Sequence, residues 1–349
     1  FTYDMIRIDV AQFGDIGQSI YRPLDELSIS PEGLSPRLIK NGYDSYSMLN
    51  GRVYALPLDP SVQIFLYRTD LFHDAKLCRA YYERFHENLV VPTTYEQYLH
   101  AAEFFTRSCN PDSPTEYGTT MTCGSASVAA SDFLPFYLSR IDRFGSTPET
   151  LRLDCPEMQA AMRQYHALEK FSCKQNWWGD SIQKFAEGKT AMTVIYSNYA
   201  AELINSGNSV VVGRVGAAIL PGCKPLLGGG IVGISRYSQK AEACKQFFHW
   251  YYSADVASLL VRLGGTSPIV DAYEDFQNYS IFPWMNTSKK SFGLGQRGVI
   301  NQTPERFSIP KYEFAVGTAI RNVVQDLMTP EDASRMAQAL YDAADPVCR

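Results

Sequence analysis

The sequence has 349 residues, of which 45% are hydrophobic and 20% are charged, and its formal net charge is −5 at pH 7. This length favours about two domains with a large buried core. A negative net charge without a basic run argues against nucleic-acid binding, and no apolar stretch approaches the ~20 residues that span a bilayer. No signal peptide precedes Phe1, so we expect a chain that is mature, trimmed or an excerpt.

The first part of the chain alternates between strand and helix patterns. Period-two alternation predicts a strand at Met5–Asp9, and a helix is predicted over residues 15–27. Two further strands, over residues 53–56 and 62–67, are predicted on either side of a bend bounded by prolines at 57–60.

The rest of the chain continues this alternation. Further helices are predicted over residues 70–87, 92–107 (with Thr93 or Thr94 as N-cap), 127–140, 156–171, 197–206, 238–253, 255–263, 312–328 and 330–343. Further strands are predicted over residues 117–122, 190–196, 210–220 and 226–234, and residues 284–305 are predicted to be irregular. Strands that alternate with helices favour an α/β fold with largely parallel sheets.

The aromatic content is high, at 13% with 22 tyrosines. A tyrosine combines a flat apolar ring with a hydrogen-bonding tip, which suits a site for polar molecules that have apolar faces. Most of these tyrosines are nevertheless expected to pack at the margins of the core.

Eight cysteines are scattered along the chain, and none of them forms a Cys-x-x-Cys pair or lies near a histidine at ligand spacing. This distribution argues against a zinc site. Unpaired thiols fit either a reducing compartment or the exterior of an anaerobe.

One junction is especially informative. In residues 185–192 an amphipathic helix ends at Gly188 and a buried strand follows, with Asn198 and Tyr199 beyond its carboxyl end. In open α/β sheets, ligands bind at the carboxyl ends of strands. Six further motifs share a fixed order with this one, at residues 3–9, 21–27, 50–72, 91–98, 228–235 and 264–268.

Together, the seven motifs resemble those of the extracellular solute-binding proteins of family 1, which are the sugar-binding subunits of ABC importers. The resemblance covers nearly the whole chain and implies an α/β, two-lobed periplasmic-binding-protein fold of type II. Ligand would close the cleft between the lobes by hinge motion. The implied ranges are 1–65 and 231–306 for lobe 1, 66–230 and 307–349 for lobe 2, and 64–67, 227–231 and 306–311 for the hinge crossings.

The resemblance has one departure. The family begins with a strand, a long helix and a second strand before the strand that ends here at Asp9, and this sequence starts at that later strand. We therefore expect an unusual lobe 1, either because the chain was trimmed or because an upstream region belongs to something else.

Polar side chains that could hold sugar hydroxyls occur at two places. Asp9 closes the first strand and Gln12 follows one turn later, although Asp9 could instead cap the next helix. Asp59, Ser61 and Gln63 alternate along the chain and therefore share one side of it. Carboxylates and amides bind sugar hydroxyls through paired hydrogen bonds, so a ligand-binding role is expected for these residues.

Aromatic candidates come from two segments. Trp177 and Trp178 are adjacent and cannot both enter the same core face, so one of them is expected in the cleft unless it only covers the lobe surface. Asn198 and Tyr199 follow the strand at 190–196, where the resemblance implies a stacking aromatic residue.

The resemblance adds candidates at the hinge. Gly228 and Gly229 lie at the second crossing, where they would either let the backbone approach a ligand or supply hinge freedom. Tyr312 opens the helix after the third crossing, where the family often presents an aromatic side chain.

The sequence contains no complete catalytic or metal-binding motif. The spacing of Gly293, Gly295 and Gly298 fits a dinucleotide fingerprint, but a polar segment precedes it and Pro304 breaks the helix that should follow. No nucleophile elbow, Walker A loop or His-Glu-x-x-His pattern occurs. We predict that the protein is not an enzyme and uses no cofactor and no metal.

The leading hypothesis is a monomer that binds a mono- or oligosaccharide and delivers it to the permease subunits of an ABC importer. It would then be extracytoplasmic, either periplasmic or a membrane-anchored lipoprotein. One alternative is a cytoplasmic ligand-sensing domain of a transcription regulator or sensor, which the eight cysteines favour. Another keeps the fold but binds a peptide, a polyamine or a metal chelate.

Overall fold

The computed structural model describes residues 3–34, 37–39, 46–141, 152–205, 207, 209–297 and 308–343. The strands are β1 (Met5–Asp9), β2 (Met48–Leu49), β3 (Arg52–Val53), β4 (Leu56–Arg68), β5 (Thr119–Thr122), β6 (Ser172–Gln175), β7 (Met192–Tyr196), β8 (Val215–Ala218) and β9 (Leu227–Ile234).

The helices of the described ranges follow the same order. They are α1 (Phe13–Ile20), α2 (Pro31–Leu34), α3 (Thr69–Phe72), α4 (Ala75–Phe85), α5 (Tyr95–Phe104), α6 (Ala126–Leu138), α7 (Pro156–Glu169), α8 (Trp178–Ala186), α9 (Glu202–Asn205), α10 (Ala241–Tyr251), α11 (Ala254–Arg262), α12 (Val270–Glu274), α13 (Phe276–Ile281), α14 (Met285–Leu294), α15 (Ile309–Val324) and α16 (Pro330–Asp342). Across the described part of the chain, no helix combines the length and apolar character that crossing a membrane requires.

The central sheet is built around the long strand β4. The first part of β4 pairs with β9, which also pairs with β1, and the second part pairs with β7 and β8. The register places Asp9 and Asp59 on either side of Gly230. This arrangement brings the ends of β1 and β9 together with the middle of β4, although their residues are far apart in sequence.

Two expectations about the strands are wrong. Every pairing in the central sheet is antiparallel, and the parallel pairing between named strands in the described residues is β5 with β6. Alternation of strands and helices does not determine which strands pair, and the strands that pair in the central sheet are not consecutive in the chain. The prolines do not interrupt β4 either, because its register shift between Pro57 and Asp59 absorbs them as an irregularity.

Most predicted helices are present, with ends that shift by a few residues. The side chain of Thr94 caps α5 by accepting a hydrogen bond from the Gln97 amide at 3.2 Å. The main error is α14, which lies in a segment predicted to be irregular. Its polar sequence has weak helical character, but Met285 and Phe292 are buried, and tertiary packing stabilises such helices.

Two hydrophobic cores lie on opposite faces of β4. The first core contains Ile64 and Leu66 of β4, together with side chains from the N-terminal segment, from residues 182–211 and from residues 227–292. The second core contains Phe65 with side chains from residues 71–226 and 312–337. Residues 182–211, predicted to belong to lobe 2, therefore also contribute to the first core, and the exact lobe boundaries stay a prediction.

Helix α6 carries a buried carboxylate, that of Asp132. Asp132 is 8% exposed, and its Oδ2 accepts hydrogen bonds from the Tyr165 hydroxyl at 2.6 Å and from the Thr122 amide at 3.2 Å. Burial raises the pKa of Asp132 from 3.8 to about 7, although both hydrogen bonds oppose this shift. The folded protein therefore keeps this proton up to near-neutral pH.

Asp132→Asn should remove a pH dependence of stability. Between about pH 4 and pH 7 the folded state binds this proton and the unfolded chain does not, so the free energy of unfolding falls as pH rises. As pH rises through this window, the free energy of unfolding of the variant should increase relative to that of the wild type by up to about 1.4 kcal/mol per pH unit. Urea unfolding at pH 5, 6, 7 and 8 measures the difference, with the exposed Asp112→Asn as the control. A constant difference across these pH values would refute the assignment.

Candidate ligand-binding cleft

The strands β1, β4 and β9 form the floor of an open cleft with a volume of about 1100 Å³. Its walls come from the start of α6, the start of α8, the segment after β7, and one face of α15. Ten of the twelve side chains and glycines predicted for the site line this cleft, namely Asp9, Gln12, Asp59, Ser61, Trp177, Trp178, Asn198, Tyr199, Gly228 and Gly229.

The other two candidates lie beneath the cleft surface. Gln63 is fully buried, where its amide donates to the Ser131 carbonyl at 2.7 Å and accepts from the Leu226 amide at 2.9 Å. Tyr312 is 2% exposed and belongs to the second core. Gln63 does follow Asp59 and Ser61 in strand alternation, but its amide is used within the fold.

An ion pair crosses the floor between β1 and β4. The Arg7 guanidinium meets Asp59 through two hydrogen bonds, Nε to Oδ1 at 3.2 Å and Nη2 to Oδ2 at 2.8 Å. Both side chains remain nearly half exposed, and the hydrogen bonds from Arg7 to Asp59 raise the pKa of Arg7. The pair therefore presents a fixed set of donors and acceptors to whatever enters the cleft.

Asp9 has both of the roles considered from its sequence. Its Oδ1 accepts the Ala11 amide at 2.9 Å, which caps the one-turn 3₁₀-helix Val10–Gln12. Its carboxylate also lines the cleft. One oxygen is used for the cap, while the side chain as a whole remains partly exposed.

A second, buried ion pair lies deeper in the cleft. Arg297 meets Glu313 with Nε–Oε1 at 2.8 Å and Nη2–Oε2 at 2.9 Å, and both side chains are less than one-tenth exposed. Arg297 Nη1 also donates to the Tyr196 hydroxyl at 2.8 Å and to the Leu227 carbonyl at 3.0 Å. Arg297 thus joins β7, β9 and α15 at the base of the cleft.

Charge pairing keeps this buried arginine ionised. Burial lowers the pKa of Arg297, but the negative charge of Glu313 outweighs this effect and the pKa is raised overall. Burial raises the pKa of Glu313, against the charge and hydrogen bonds of Arg297. Burial likewise raises the pKa of Tyr196 to about 12, so its hydroxyl stays neutral.

Aromatic rings form one side of the cleft. Trp177 is 50% exposed and meets Tyr199 edge to face, with their ring centroids 6.5 Å apart. Trp178 is 3% exposed and packs edge to face against Tyr196, with their ring centroids 5.1 Å apart. The two adjacent tryptophans therefore differ in exposure: Trp177 is open to the cleft, whereas Trp178 is buried at its edge. Phe314, 56% exposed, adds a ring from α15.

Gly229 is required by the packing of the floor. Its φ is +88°, and a Cβ at this position would lie 2.0 Å from the Asp59 carbonyl oxygen. A side chain would therefore be strained and would push β9 away from β4. Close approach of these two strands accounts for this glycine, which sequence reasoning attributed to ligand approach or hinge freedom.

The polar wall opposite the floor combines a helix start with an arginine. Residues 124–128 line the cleft at the start of α6, where Ser125 caps the helix by accepting the Val128 amide at 3.4 Å. Arg321 of α15 lies nearby, because Gly317, one turn before it, packs directly against Ala126. Its Nε is buried and has no hydrogen-bond partner in the described residues.

Sequence reasoning missed Arg7, Glu313, Phe314, Arg321 and Arg297 as cleft residues. On α15 a signal exists: Pro310, Phe314, Thr318 and Arg321 follow one another at helical spacing on the cleft face. Tyr312 belongs to the opposite, core-facing set. No comparable pattern marks Arg297, which lies beyond the end of α14.

The carboxylates of the cleft are engaged within the fold. Asp59 and Glu313 are each held by an arginine, and Asp9 serves as a cap. Among the described residues, no group of three or more His, Cys, Asp or Glu side chains is placed to hold a metal ion. What remains available is a set of polar groups beside exposed aromatic rings.

The fold is similar to several solved solute-binding proteins. An ABC transporter solute-binding protein from Agrobacterium radiobacter K84, in complex with ribitol, gives a TM-score of 0.80 at 21% identity, covering 97% of this chain and 84% of that one. The maltose-bound MalE3 of T. maritima gives 0.76 at 19% identity with the same coverage. The GacH receptor of Streptomyces glaucescens gives 0.75 at 18% identity, covering 97% and 82%.

These similarities confirm the predicted two-lobed α/β binding-protein fold. A family model also matches the sequence itself over residues 5–284, under the description "bacterial extracellular solute-binding protein". The match takes in β1, β4, β7 and β9 together with most of the cleft residues. The chain therefore belongs to the family of bacterial extracellular solute-binding proteins.

Proposed function

We propose that this protein binds a carbohydrate in the cleft between its lobes and delivers it to an ABC importer. The observation that carries the proposal is the pairing of exposed rings with fixed polar groups. Trp177 and Phe314 expose about half of their surface in a cleft that also contains Asp9, Asn198 and the Arg7–Asp59 pair. Sugars present apolar ring faces and hydroxyl edges, and this lining matches both.

The solved relatives support this choice of ligand class. They were crystallised with ribitol, maltose and acarbose, and others of the same fold with D-mannitol or α-D-tagatose. Several of them are described as solute-binding proteins of ABC transporters. The family match thus favours transport over the sensory alternative.

Closure of the cleft would follow from motion about the predicted crossings. The first two, near residues 64–67 and 227–231, lie in β4 and β9, which are paired to each other on the floor. The third, near 306–311, lies partly outside the described residues, which resume at 308 after a gap. A ligand that contacts both walls would stabilise the closed state, because only that state makes all the contacts.

The cellular setting follows from the family. An extracellular solute-binding protein acts outside the cytoplasm. We further propose that the protein is either periplasmic or anchored to the membrane as a lipoprotein. It would act as a monomer and dock onto the permease subunits of the importer. The permease partner would distinguish the loaded, closed protein from the open one.

The test is thermal melting of the purified chain against a panel of neutral and acidic mono- and oligosaccharides. A sugar at 100 times its Kd adds roughly 2.7 kcal/mol to the free energy of unfolding when it binds only the folded state. We expect a shift confined to one class of sugars, with titration calorimetry to confirm the heat of binding. A cooperative melt that no saccharide shifts would overturn the carbohydrate assignment.

A further inference from the structure

Four of the six charged side chains that line the cleft form two ion pairs, Asp9 caps a helical turn, and Arg321 has neither role. Arg7 is paired with Asp59 and Arg297 with Glu313, while Asp9 accepts the Ala11 amide. The side chain of Arg321 makes no ion pair or hydrogen bond within the ranges that the structure describes, and its Nε is buried. The side chain as a whole is only partly buried and lines the cleft, so its guanidinium can donate charge-assisted hydrogen bonds to an anionic group of a ligand.

The surroundings of Arg321 also favour negative charge. It lies on the cleft face of α15, one turn after Gly317, where α15 packs against the first residue of α6. The start of α6 presents its first amides and the exposed hydroxyls of Ser125 and Ser127 to the same part of the cleft. The amino end of a 13-residue helix carries partial positive charge, and no carboxylate of α6 lies in its first turn.

We propose that the ligand is an acidic saccharide whose anionic group binds to Arg321 and the start of α6. This inference rests on the proposed carbohydrate function and narrows it. The neutral rings of the sugar would contact Trp177 and Phe314, while a carboxylate or phosphate would accept hydrogen bonds from the guanidinium and the serine hydroxyls. An arginine suits either group, because its planar fork matches two oxygens at once.

The test compares matched sugars that differ in charge. Glucose, glucuronate and glucose 6-phosphate form one set, galactose, galacturonate and galactose 6-phosphate form another, and the corresponding disaccharides extend both. We expect the acidic member of a set to bind at least tenfold more tightly than its neutral partner, and the affinity to fall as NaCl rises from 50 to 500 mM. The carboxylate and phosphate arms identify which anion is recognised.

Variants of Arg321 connect the preference to this site. Arg321→Gln should reduce affinity for the acidic sugar at least tenfold and abolish its salt dependence, while the unliganded melting temperature stays equal or rises. Arg321→Lys keeps the positive charge without the planar guanidinium, so its affinity for the acidic sugar should lie between those of the wild type and Arg321→Gln. The control is Arg79→Gln, since Arg79 is 82% exposed on α4 and away from the cleft.

The outcomes separate the two proposals. Equal or tighter binding of the neutral sugars would overturn the acidic ligand and leave the carbohydrate function standing. An acidic preference that survives Arg321→Gln would overturn the assignment of the site. A panel in which no sugar binds would overturn both.

Discussion

Replacing Glu313 by glutamine should lower the free energy of unfolding by about 3–5 kcal/mol, because it leaves the buried charge of Arg297 without a counter-ion. The side chains of this pair are 9% and 4% exposed, so solvent cannot replace the lost carboxylate. The remaining bonds from Arg297 to Tyr196 and Leu227 satisfy hydrogen-bond donors but do not neutralise the charge. Urea unfolding followed by circular dichroism at pH 7 measures the effect.

Two further variants make this test specific. Glu331→Gln breaks an ion pair with Arg163 whose side chains are about half exposed, and should cost no more than about 1 kcal/mol. The double variant Glu313→Gln with Arg297→Met removes the stranded charge and should recover part of the loss. Equal effects of Glu313→Gln and Glu331→Gln would show that the buried pair contributes no more than a surface pair.

The two neighbouring tryptophans should respond to truncation in different ways. Trp178→Ala should lower the free energy of unfolding by about 3–5 kcal/mol, because it empties a buried site against Tyr196. Trp177→Ala should leave stability nearly unchanged and weaken sugar binding at least tenfold, which corresponds to about 1.4 kcal/mol. Urea unfolding and titration calorimetry on both variants give the two measurements.

The matched control for Trp177 is Trp250, which is 57% exposed on α10 and does not line the cleft. Trp250→Ala should leave the affinity for sugar unchanged. If Trp177→Ala and Trp250→Ala bind the sugar equally well, Trp177 has no part in the site.

Residues on the strands of the floor could be predicted well because alternation is a local property. Asp59 and Ser61 lie on the cleft side, as their spacing indicates, and Asp9 closes β1 beside them. Gln63 shows the limit of that reasoning, since the pattern identifies a side of the strand but not which other element uses the side chain. The antiparallel pairing of β4 with β7 and β9 is likewise set by tertiary structure.

On helix α15, residue type alone predicts the wrong cleft residue, whereas the helical periodicity of the sequence would have predicted the right face. The resemblance implies an aromatic cleft residue at Tyr312, yet Tyr312 is buried and Phe314, two positions later, is exposed. A shift of two residues turns a helix by about 200°, so the neighbouring aromatic faces the other way. No periodic pattern in the sequence predicts that Arg297 lines the cleft, because its ion pair with Glu313 joins segments that only the completed fold brings together.

The two faces of β4 have a consequence for how the newly made chain folds. The first core includes residues as late as Phe292, and the second includes side chains of α15 and α16 as late as Ala337. At ~5–20 residues per second, synthesis reaches these segments on the order of ten seconds or more after β4 has emerged. Neither core is complete before these segments emerge, so the full packing of both faces of β4 waits for the last part of synthesis.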